Sequence, residues 1–168
     1  VAEARGASVV VDEIHAPLVP DGVRFTPYLS LTERGFVVTS ASKAYNLAGL
    51  KAGVIIAGAE SAAAVAALPE SVHYGASLLG CIAHEAAWDG GDDWLAAVNA
   101  NIRSNVAFLA DLLAAQLPAA RLLVPESTYL AWIDCRELGL GDDPAAVFLE
   151  TGRVALNSGP TFGDGGDG

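Results

Sequence analysis

The stretch "VVVDEIHAPL" at residues 9–18 decides the fold when it is set beside "TSASKAYNLAGLKAG" at residues 39–53. In both places an apolar run, "VVV" or the preceding "FVV", ends on polar side chains. Strands that are apolar throughout are typical of sheets covered on both faces, and ligands bind such sheets outside the carboxyl ends of the strands. We therefore predict an α/β fold. The polar residues expected at one edge of its sheet are Asp12, Glu13, His15, Ser40, Ser42 and Lys43.

Apolar periodicity and turn residues predict the other elements. Strands are predicted at 7–12, 36–40, 53–58, 121–124, 129–134 and 153–156. Helices are predicted at 60–67, at 76–88, at 92–117 and within 142–152. We expect Asp92 or Asp93 to cap the third helix and Pro118 to close it. Pro144 is expected to open the fourth helix and Gly152 to follow its end.

Composition narrows the function class. The 168 residues carry a formal charge of −11 and have a pI near 4.4, which argues against nucleic-acid binding because phosphate backbones need clustered Lys and Arg. No window approaches the roughly 20 apolar residues of a membrane helix, and no basic segment precedes an apolar one as in a signal peptide. We therefore expect a soluble, cytoplasmic protein with no membrane or nucleic-acid partner. Cys81 and Cys135 lack metal-ligand spacing, so we expect reduced thiols.

The two ends of the chain indicate a longer protein. The sequence contains no methionine and begins with "VAEARGASVVVD", which is typical of a helix running into a strand. It stops within "GPTFGDGGDG", a composition typical of a loop. We therefore expect the chain to be a segment of a longer protein.

Three kinds of chemistry use side chains of these types. Ser40 and Lys43 match the S-x-x-K pattern of serine acyl-transfer enzymes, but those enzymes also carry S-D-N and K-T-G, which are absent here. Metal ligands are present in "DEIH" at 12–15, but the remaining histidines, His73 and His84, form no recognised metal-binding spacing with them. Both of these patterns are therefore weak, and we expect no metal.

The third chemistry is a Schiff base with pyridoxal 5′-phosphate. This cofactor needs a lysine for its aldehyde, a carboxylate that faces its ring nitrogen and donors for its phosphate. An ionised aspartate keeps the ring nitrogen protonated, so that the ring accepts the electron pair left when a bond to Cα breaks. Hydroxyls and a nearby cation suit the dianionic phosphate. Asp12, Lys43, the two serines before Lys43 and Lys51 meet these needs.

The same stretches resemble the fold-type-I pyridoxal-phosphate enzymes, the class I/II aminotransferase superfamily. "SASKAYNLAGLKAG" at 40–53 is similar to the lysine motif of that superfamily, in which serine-x-serine-lysine is followed by a glycine and usually an arginine. "DEIH" at 12–15 is similar to the aspartate motif of the cystathionine β-lyase, or carbon–sulfur lyase, branch; many aminotransferases carry tyrosine in place of the histidine. "LNSGPTFGDGGDG" at 156–168 resembles the small-domain loop that precedes a carboxylate-binding arginine.

The resemblance implies a role for each candidate residue. Lys43 is expected to form the Schiff base and to act as the catalytic base, and Asp12 to face the ring nitrogen. His15 is expected near the phenolic oxygen of the ring. The residues expected to hold the phosphate are Ser40, Ser42 and Lys51. The last of these stands where many relatives have arginine, and it keeps the charge without the bidentate fork.

The resemblance also implies a fold and a function. We expect the pyridoxal-phosphate-transferase (aspartate aminotransferase-like) fold in part: the C-terminal part of the large α/β domain at 1–91, then the connecting helix and an incomplete small α+β domain at 92–168. The implied enzyme is a carbon–sulfur β-lyase that converts L-cystathionine or a cysteine S-conjugate to a thiol, pyruvate and ammonia, as a homodimer when intact. Two alternatives stay open, an aminotransferase that uses the same residues and a non-catalytic binding or regulatory protein on the same fold.

Overall fold

A computed structural model describes the backbone of all 168 residues and every side chain except that of Glu3. The chain forms two compact units. The first comprises Val1–Asn101 with Glu126–Thr128, and the second comprises Ile102–Pro125 with Tyr129–Gly168. The boundary near residue 91, predicted between two domains of a larger fold, stays a prediction.

The first unit contains a three-stranded sheet formed by β1 (Val10–Asp12), β2 (Phe36–Thr39) and β3 (Val54–Ala57), in that spatial order. The pairing of β1 with β2 is parallel, and β2 pairs with β3 in antiparallel fashion. The carboxyl ends of β1 and β2 therefore lie at the same edge of the sheet, which is also where β3 begins.

Small and branched apolar residues hold this edge in place. The buried residues of the first unit include Leu18, Val37, Ala41 and Ala44, each at most 4% exposed. Val37 lies inside β2, whereas the other three lie in the segments that follow β1 and β2. Those two segments are therefore anchored by their own apolar side chains rather than left as free loops.

Strand β3 is partly exposed on both faces within the described side chains, and the two-sided covering expected of the intact sheet stays a prediction. Val54, Ile55 and Ile56 are consecutive in this strand, and 39–44% of each is exposed. Since successive side chains of a strand point to opposite faces, both faces of β3 are partly open. Val10 in β1 is also exposed, at 61%.

Three α-helices follow the sheet along the chain, α1 (Ala62–Ala66), α2 (Leu78–Gly90) and α3 (Asp92–Gln116). Ser77 caps α2 by accepting a hydrogen bond from Gly80 N at 3.2 Å. Asp92 and Asp93 lie in the first turn of α3 rather than at its cap, where their charges favour the helix N-terminus. As predicted, α3 ends before Pro118. No helix in the described part of the chain is both long and apolar enough to cross a membrane.

The second unit contains a two-stranded antiparallel sheet, β4 (Arg121–Leu123) with β5 (Trp132–Asp134), and the short helix α4 (Pro144–Val147). Pro144 opens α4, as predicted. Gly152 does not follow the helix end, because a π-helical turn, Phe148–Gly152, extends the helix and Arg153 closes it in the left-handed conformation, with φ of 54°. The predicted strand at 153–156 is wrong: no described strand pairs with this segment, and a strand without a partner leaves its backbone groups unpaired.

Candidate functional site

Residues 40–53, which follow β2 and are called here the lysine segment, are held in place by two buried alanines. Ala41 and Ala44 are buried, and the backbone turns back on itself through the hydrogen bond from Tyr45 N to Ala41 O, at 3.0 Å. Trp94 of α3 donates its indole N–H to Ala44 O at 3.1 Å. Lys43 is exposed between these anchors, and its ammonium has no hydrogen bond or ion pair with any side chain that the structure describes.

The two acidic residues at the end of β1, Asp12 and Glu13, make different contacts. Glu13 is committed to the protein, because its Oε1 accepts from Tyr28 N at 2.7 Å. Asp12 is exposed and bonds only locally, accepting from Ile14 N through Oδ1 at 2.9 Å. One carboxylate oxygen of Asp12 therefore has no partner among the described residues. It lies at the edge of the sheet where β2 ends and the lysine segment begins.

His15 is held by a residue that lies far away in the sequence. Its Nδ1 is 2.7 Å from Thr128 Oγ1, and Thr128 N donates to Leu18 O at 3.2 Å. Thr128 adopts the left-handed conformation, with φ of 65°. Sequence reasoning missed Thr128, because no local pattern connects it to a histidine 113 positions earlier. Thr128 therefore orients the imidazole of His15, the residue that the sequence predicts to lie at this site.

Ser40 lies at the centre of a buried polar cluster. Only 6% of the residue is exposed, and its Oγ is 2.6 Å from Ser42 Oγ, 2.8 Å from Ala52 O and 2.8 Å from His84 Nε2. Ser42 N also donates to Ser40 Oγ, at 3.1 Å. The prediction that Ser40 holds phosphate stays a prediction, and its hydroxyl is already surrounded by protein atoms.

His84 is the second functional residue that sequence reasoning missed. It is 3% exposed, its Nδ1 is 2.8 Å from Gly80 O, and its ring meets Trp88 edge to face at 5.6 Å. Gly80 permits the approach of α2, since a Cβ there would lie 2.3 Å from Leu50 O. The sequence places His84 one helical turn after Gly80. This spacing indicates a buried histidine only once it is known that Gly80 packs against Leu50.

Lys51 uses its backbone to tie the end of the lysine segment to α2. It has a left-handed φ of 54°, and its carbonyl accepts from Ser77 N at 3.1 Å. Its side chain is exposed and has no hydrogen-bond or ion-pair partner among the described side chains. Its ammonium is therefore available to an anion, and the predicted phosphate contact stays a prediction.

Tyr45 packs behind the lysine segment. Burial, together with the nearby charge of Asp92, raises the pKa of its phenol above the ordinary value. A Cβ at Gly91 would lie 2.5 Å from the Tyr45 ring, so the ring rests against the glycine between α2 and α3. The phenol stays protonated at neutral pH, and Tyr45 contributes bulk rather than charge.

The edge of the first unit thus carries a distinctive set of polar groups. It combines a carboxylate oxygen and two ammonium groups that have no partner among the described side chains, an imidazole oriented by Thr128 and two hydroxyls that contact each other. Such a set suits an anionic ligand that also bears a basic nitrogen and an amine-reactive carbonyl. No cluster of three or more His, Cys, Asp or Glu side chains within the described part of the chain is arranged to hold a metal ion.

The second unit has a cavity of about 480 Å³ between β5, α4 and the C-terminal loop. Aromatic and apolar groups from Trp132, Phe148 and Phe162 line it. Its charged wall is the ion pair of Asp134 with Arg136, 2.5 Å between Oδ2 and Nη2. This arginine holds the pKa of the Asp134 carboxyl well below its ordinary range.

The chain is similar in sequence to known lyases. A Mycobacterium tuberculosis protein assigned as a cystathionine beta-lyase is 48% identical over 99% of this chain and 46% of its own length. Cystathionine beta-lyase PatB of Bacillus subtilis is 34% identical over 98% of this chain and 44% of its own length. The chain therefore spans less than half the length of the curated relatives it matches.

A solved structure and a family model agree with these relatives. A Corynebacterium diphtheriae protein, assigned as a PLP-dependent beta-cystathionase, superposes with a TM-score of 0.91 at 38% identity, covering 99% of this chain and 45% of that one. This match confirms the predicted pyridoxal-phosphate-transferase fold, of which the chain forms a part. The family model described as aminotransferase class I and II matches residues 1–163. The chain therefore belongs to the aminotransferase class I and II family.

Proposed function

We propose that this chain carries the cofactor-binding lysine segment of a pyridoxal-phosphate-dependent carbon–sulfur β-lyase that acts on L-cystathionine or a related cysteine S-conjugate. The observation that carries the proposal is that Asp12 ends β1 and Lys43 follows the end of the neighbouring parallel strand β2, each with a functional group that no described residue engages. The 48% identical relative, assigned as a cystathionine beta-lyase, supports the choice of reaction.

The residues present fit pyridoxal phosphate. Exposed Lys43 supplies an amine for the aldehyde, and the open oxygen of Asp12 supplies an acceptor for a protonated ring nitrogen. Ser42 and Lys51 supply a hydroxyl and a positive charge for the phosphate. Lys43, Lys51 and one oxygen of Asp12 are exposed and have no partner among the described residues, so each is accessible to a polar ligand.

When bound, pyridoxal phosphate supplies an electron-accepting ring that stabilises the negative charge left at Cα of an amino acid. The side-chain amine of Lys43 removes the Cα proton as a general base. Asp12 would accept a hydrogen bond from the protonated ring nitrogen. His15, oriented by Thr128, would offer a hydrogen bond to the phenolic oxygen of the ring.

An aminotransferase is the second candidate, because the family model that matches the chain is named for that activity. It would use Lys43 and Asp12 in the same roles and differ in where Lys43 returns the proton. In a lyase the thiolate leaves from Cβ instead, and the remaining three-carbon unit takes up water to give pyruvate and ammonia. We further propose a cytoplasmic homodimer, on the resemblance of the "DEIH" and "SASK" motifs alone.

The reaction distinguishes these candidates. By the whole protein we mean this chain with any further residues that its gene encodes. Given L-cystathionine and no keto acid, the whole protein should release homocysteine, pyruvate and ammonia in equal amounts. Strict dependence on an added keto acid, with the amino group transferred to it, would favour the aminotransferase. Cofactor binding without either activity would favour a non-catalytic protein.

A further inference from the structure

The hydroxyl of Ser40 lies within hydrogen-bond distance of more groups than its one hydrogen and two acceptor sites can serve. A serine hydroxyl offers one hydrogen and accepts two, yet Ser40 Oγ is within hydrogen-bond distance of Ser42 Oγ, Ser42 N, Ala52 O and His84 Nε2. Ser42 N can only donate and Ala52 O can only accept. The direction of the remaining bonds therefore depends on His84.

The other nitrogen of His84 decides its tautomer. Nδ1 lies 2.8 Å from Gly80 O, a carbonyl that only accepts, so Nδ1 carries a hydrogen. When the ring is neutral, Nε2 is bare and Ser40 donates to it. When the ring is protonated, Nε2 donates and Ser40 directs its hydrogen to Ala52 O instead. In both cases the hydrogen of Ser40 points into the protein.

Ser42 is the member of the pair that remains able to serve a ligand. It is half-buried where Ser40 is buried. Because the hydrogen of Ser40 goes to His84 or Ala52, Ser42 is the donor in the 2.6 Å contact between the two hydroxyls. That hydrogen can turn to a ligand while Ser42 N still donates to Ser40 Oγ. Its backbone N–H and its hydroxyl both contact Ser40 Oγ, so the position of Ser42 is set by Ser40. Since Lys43 follows directly, the same contacts position the start of the lysine segment.

We infer that His84 is a positioning residue for the cofactor phosphate. Through Ser40 it holds the backbone N–H of Ser42, and the hydroxyl of Ser42 turns from Ser40 to donate to the phosphate when the cofactor binds, while Ser40 stays a buried support. The inference deepens the proposed function and rests on it. The contact crosses from α2 to the segment after β2, over 44 residues of sequence. Gly80 allows α2 to approach this segment closely, since a Cβ there would lie 2.3 Å from Leu50 O.

Comparing two ligands that differ only in the phosphate isolates this role. In the whole protein, we would measure equilibrium binding of pyridoxal phosphate and of pyridoxal to the parent and to the variants His84→Phe and His84→Gln. Phenylalanine keeps the aromatic packing on Trp88 and loses the hydrogen bond, whereas glutamine keeps a polar group within reach of Ser40. His84→Phe should lower the preference for pyridoxal phosphate over pyridoxal about tenfold, the scale of one hydrogen bond to a charged group. His84→Gln should restore most of it.

A matched control and a double variant complete the test. The same change at an exposed histidine, His73→Phe, should leave the preference unaltered. Ser42→Ala should lower it as His84→Phe does, and the two changes together should cost no more than either alone, because they act in one chain of contacts. Additive losses, or a loss confined to Ser40→Ala, would overturn the assignment of Ser42.

The outcomes for the two proposals are separate. If the parent forms no covalent adduct with pyridoxal phosphate at Lys43, the proposed function itself fails. If the parent binds and a folded His84→Phe protein keeps the parental preference for the phosphate, only the positioning role of His84 fails. Should His84→Phe not fold, His84→Leu, which also lacks a hydrogen-bonding group, takes its place in the comparison and in the double variant with Ser42→Ala.

Discussion

Asp12 and Val38 lie opposite each other in the parallel pairing of β1 with β2. Glu13 N donates to Val38 O at 3.0 Å, which continues the ladder one residue beyond the strand. Parallel neighbours end at the same edge, so backbone pairing, not side-chain contact, brings Asp12 and the lysine segment together. Substitutions of Asp12 or Lys43 should therefore alter chemistry without disturbing the fold.

Lys43, not Lys51, should form the covalent bond to pyridoxal phosphate. The chain contains only these two lysines, which makes the second a matched control. After incubation of the whole protein with the cofactor and reduction with borohydride, peptide mass mapping should place the added mass on Lys43. Lys43→Ala should abolish the labelling, and Lys51→Ala should retain it. Labelling of Lys51 in the parent would refute the assignment.

Asp12→Asn should lower lyase turnover about a thousandfold, which corresponds to about 4 kcal/mol of transition-state stabilisation. A neutral amide cannot hold a proton on the ring nitrogen, so the ring becomes a poorer electron acceptor. Glu13→Gln is the control, because Glu13 is engaged by Tyr28 N and is not expected to face the cofactor. Turnover of the Asp12 variant within a few-fold of the parent would remove this residue from the mechanism.

Gly80→Ala should destabilise the protein by about 1–3 kcal/mol, the usual cost of overpacking. The added Cβ would lie 2.3 Å from Leu50 O, so α2 must shift away from the lysine segment. Gly90→Ala, in the same helix, adds a Cβ that meets nothing within 4 Å. Denaturant unfolding of the whole protein should show a lower midpoint for the first variant only. Equal midpoints for the two variants would show that the approach of α2 is not tight.

Asp134 should titrate well below the usual range for aspartate. Two hydrogen bonds from the Arg136 guanidinium stabilise the charged carboxylate and lower its pKa. Because the folded pKa lies below the unfolded one, the pair stabilises the protein above the unfolded pKa, and this contribution is lost as pH falls through the folded pKa. NMR titration of the side-chain carboxyl should show the pKa of Asp134 rising toward its ordinary value in Arg136→Gln. An unchanged titration would mean that the pair does not form in solution.

The apolar strand patterns and the polar residues that follow them were enough to predict the candidate residues near the ends of β1 and β2. Asp12 ends β1, and His15 and Lys43 follow β1 and β2 within four residues, so the strand ends were enough to predict that all three lie near one edge. His84 and Thr128 reach the same region from 44 and 113 residues away, and no spacing in the sequence encodes a contact that depends on packing. The strand expected at 153–156 failed for the related reason that its alternating Val154 and Leu156 lack a described partner strand.

The 168 residues on their own should self-associate and show no lyase or transaminase turnover. Large apolar side chains are exposed on α2 as well as on β3, with Leu78 at 75%, Leu79 at 70% and Ile82 at 55%. Exposed apolar patches of this kind favour association. The exposed position of Lys43 also leaves the candidate site open to water, which weakens the electrostatic effects that catalysis requires.

Light scattering coupled to size-exclusion chromatography should therefore report species larger than a monomer. Replacing Leu78 and Leu79 together by lysine should shift the population toward the monomer, because charge on this face opposes association. Lysines at Ser71 and Asn101, which are exposed polar positions, should have less effect at equal added charge. A soluble, monomeric chain that cleaves L-cystathionine would contradict both the role given to the apolar surface and the requirement for a covered site.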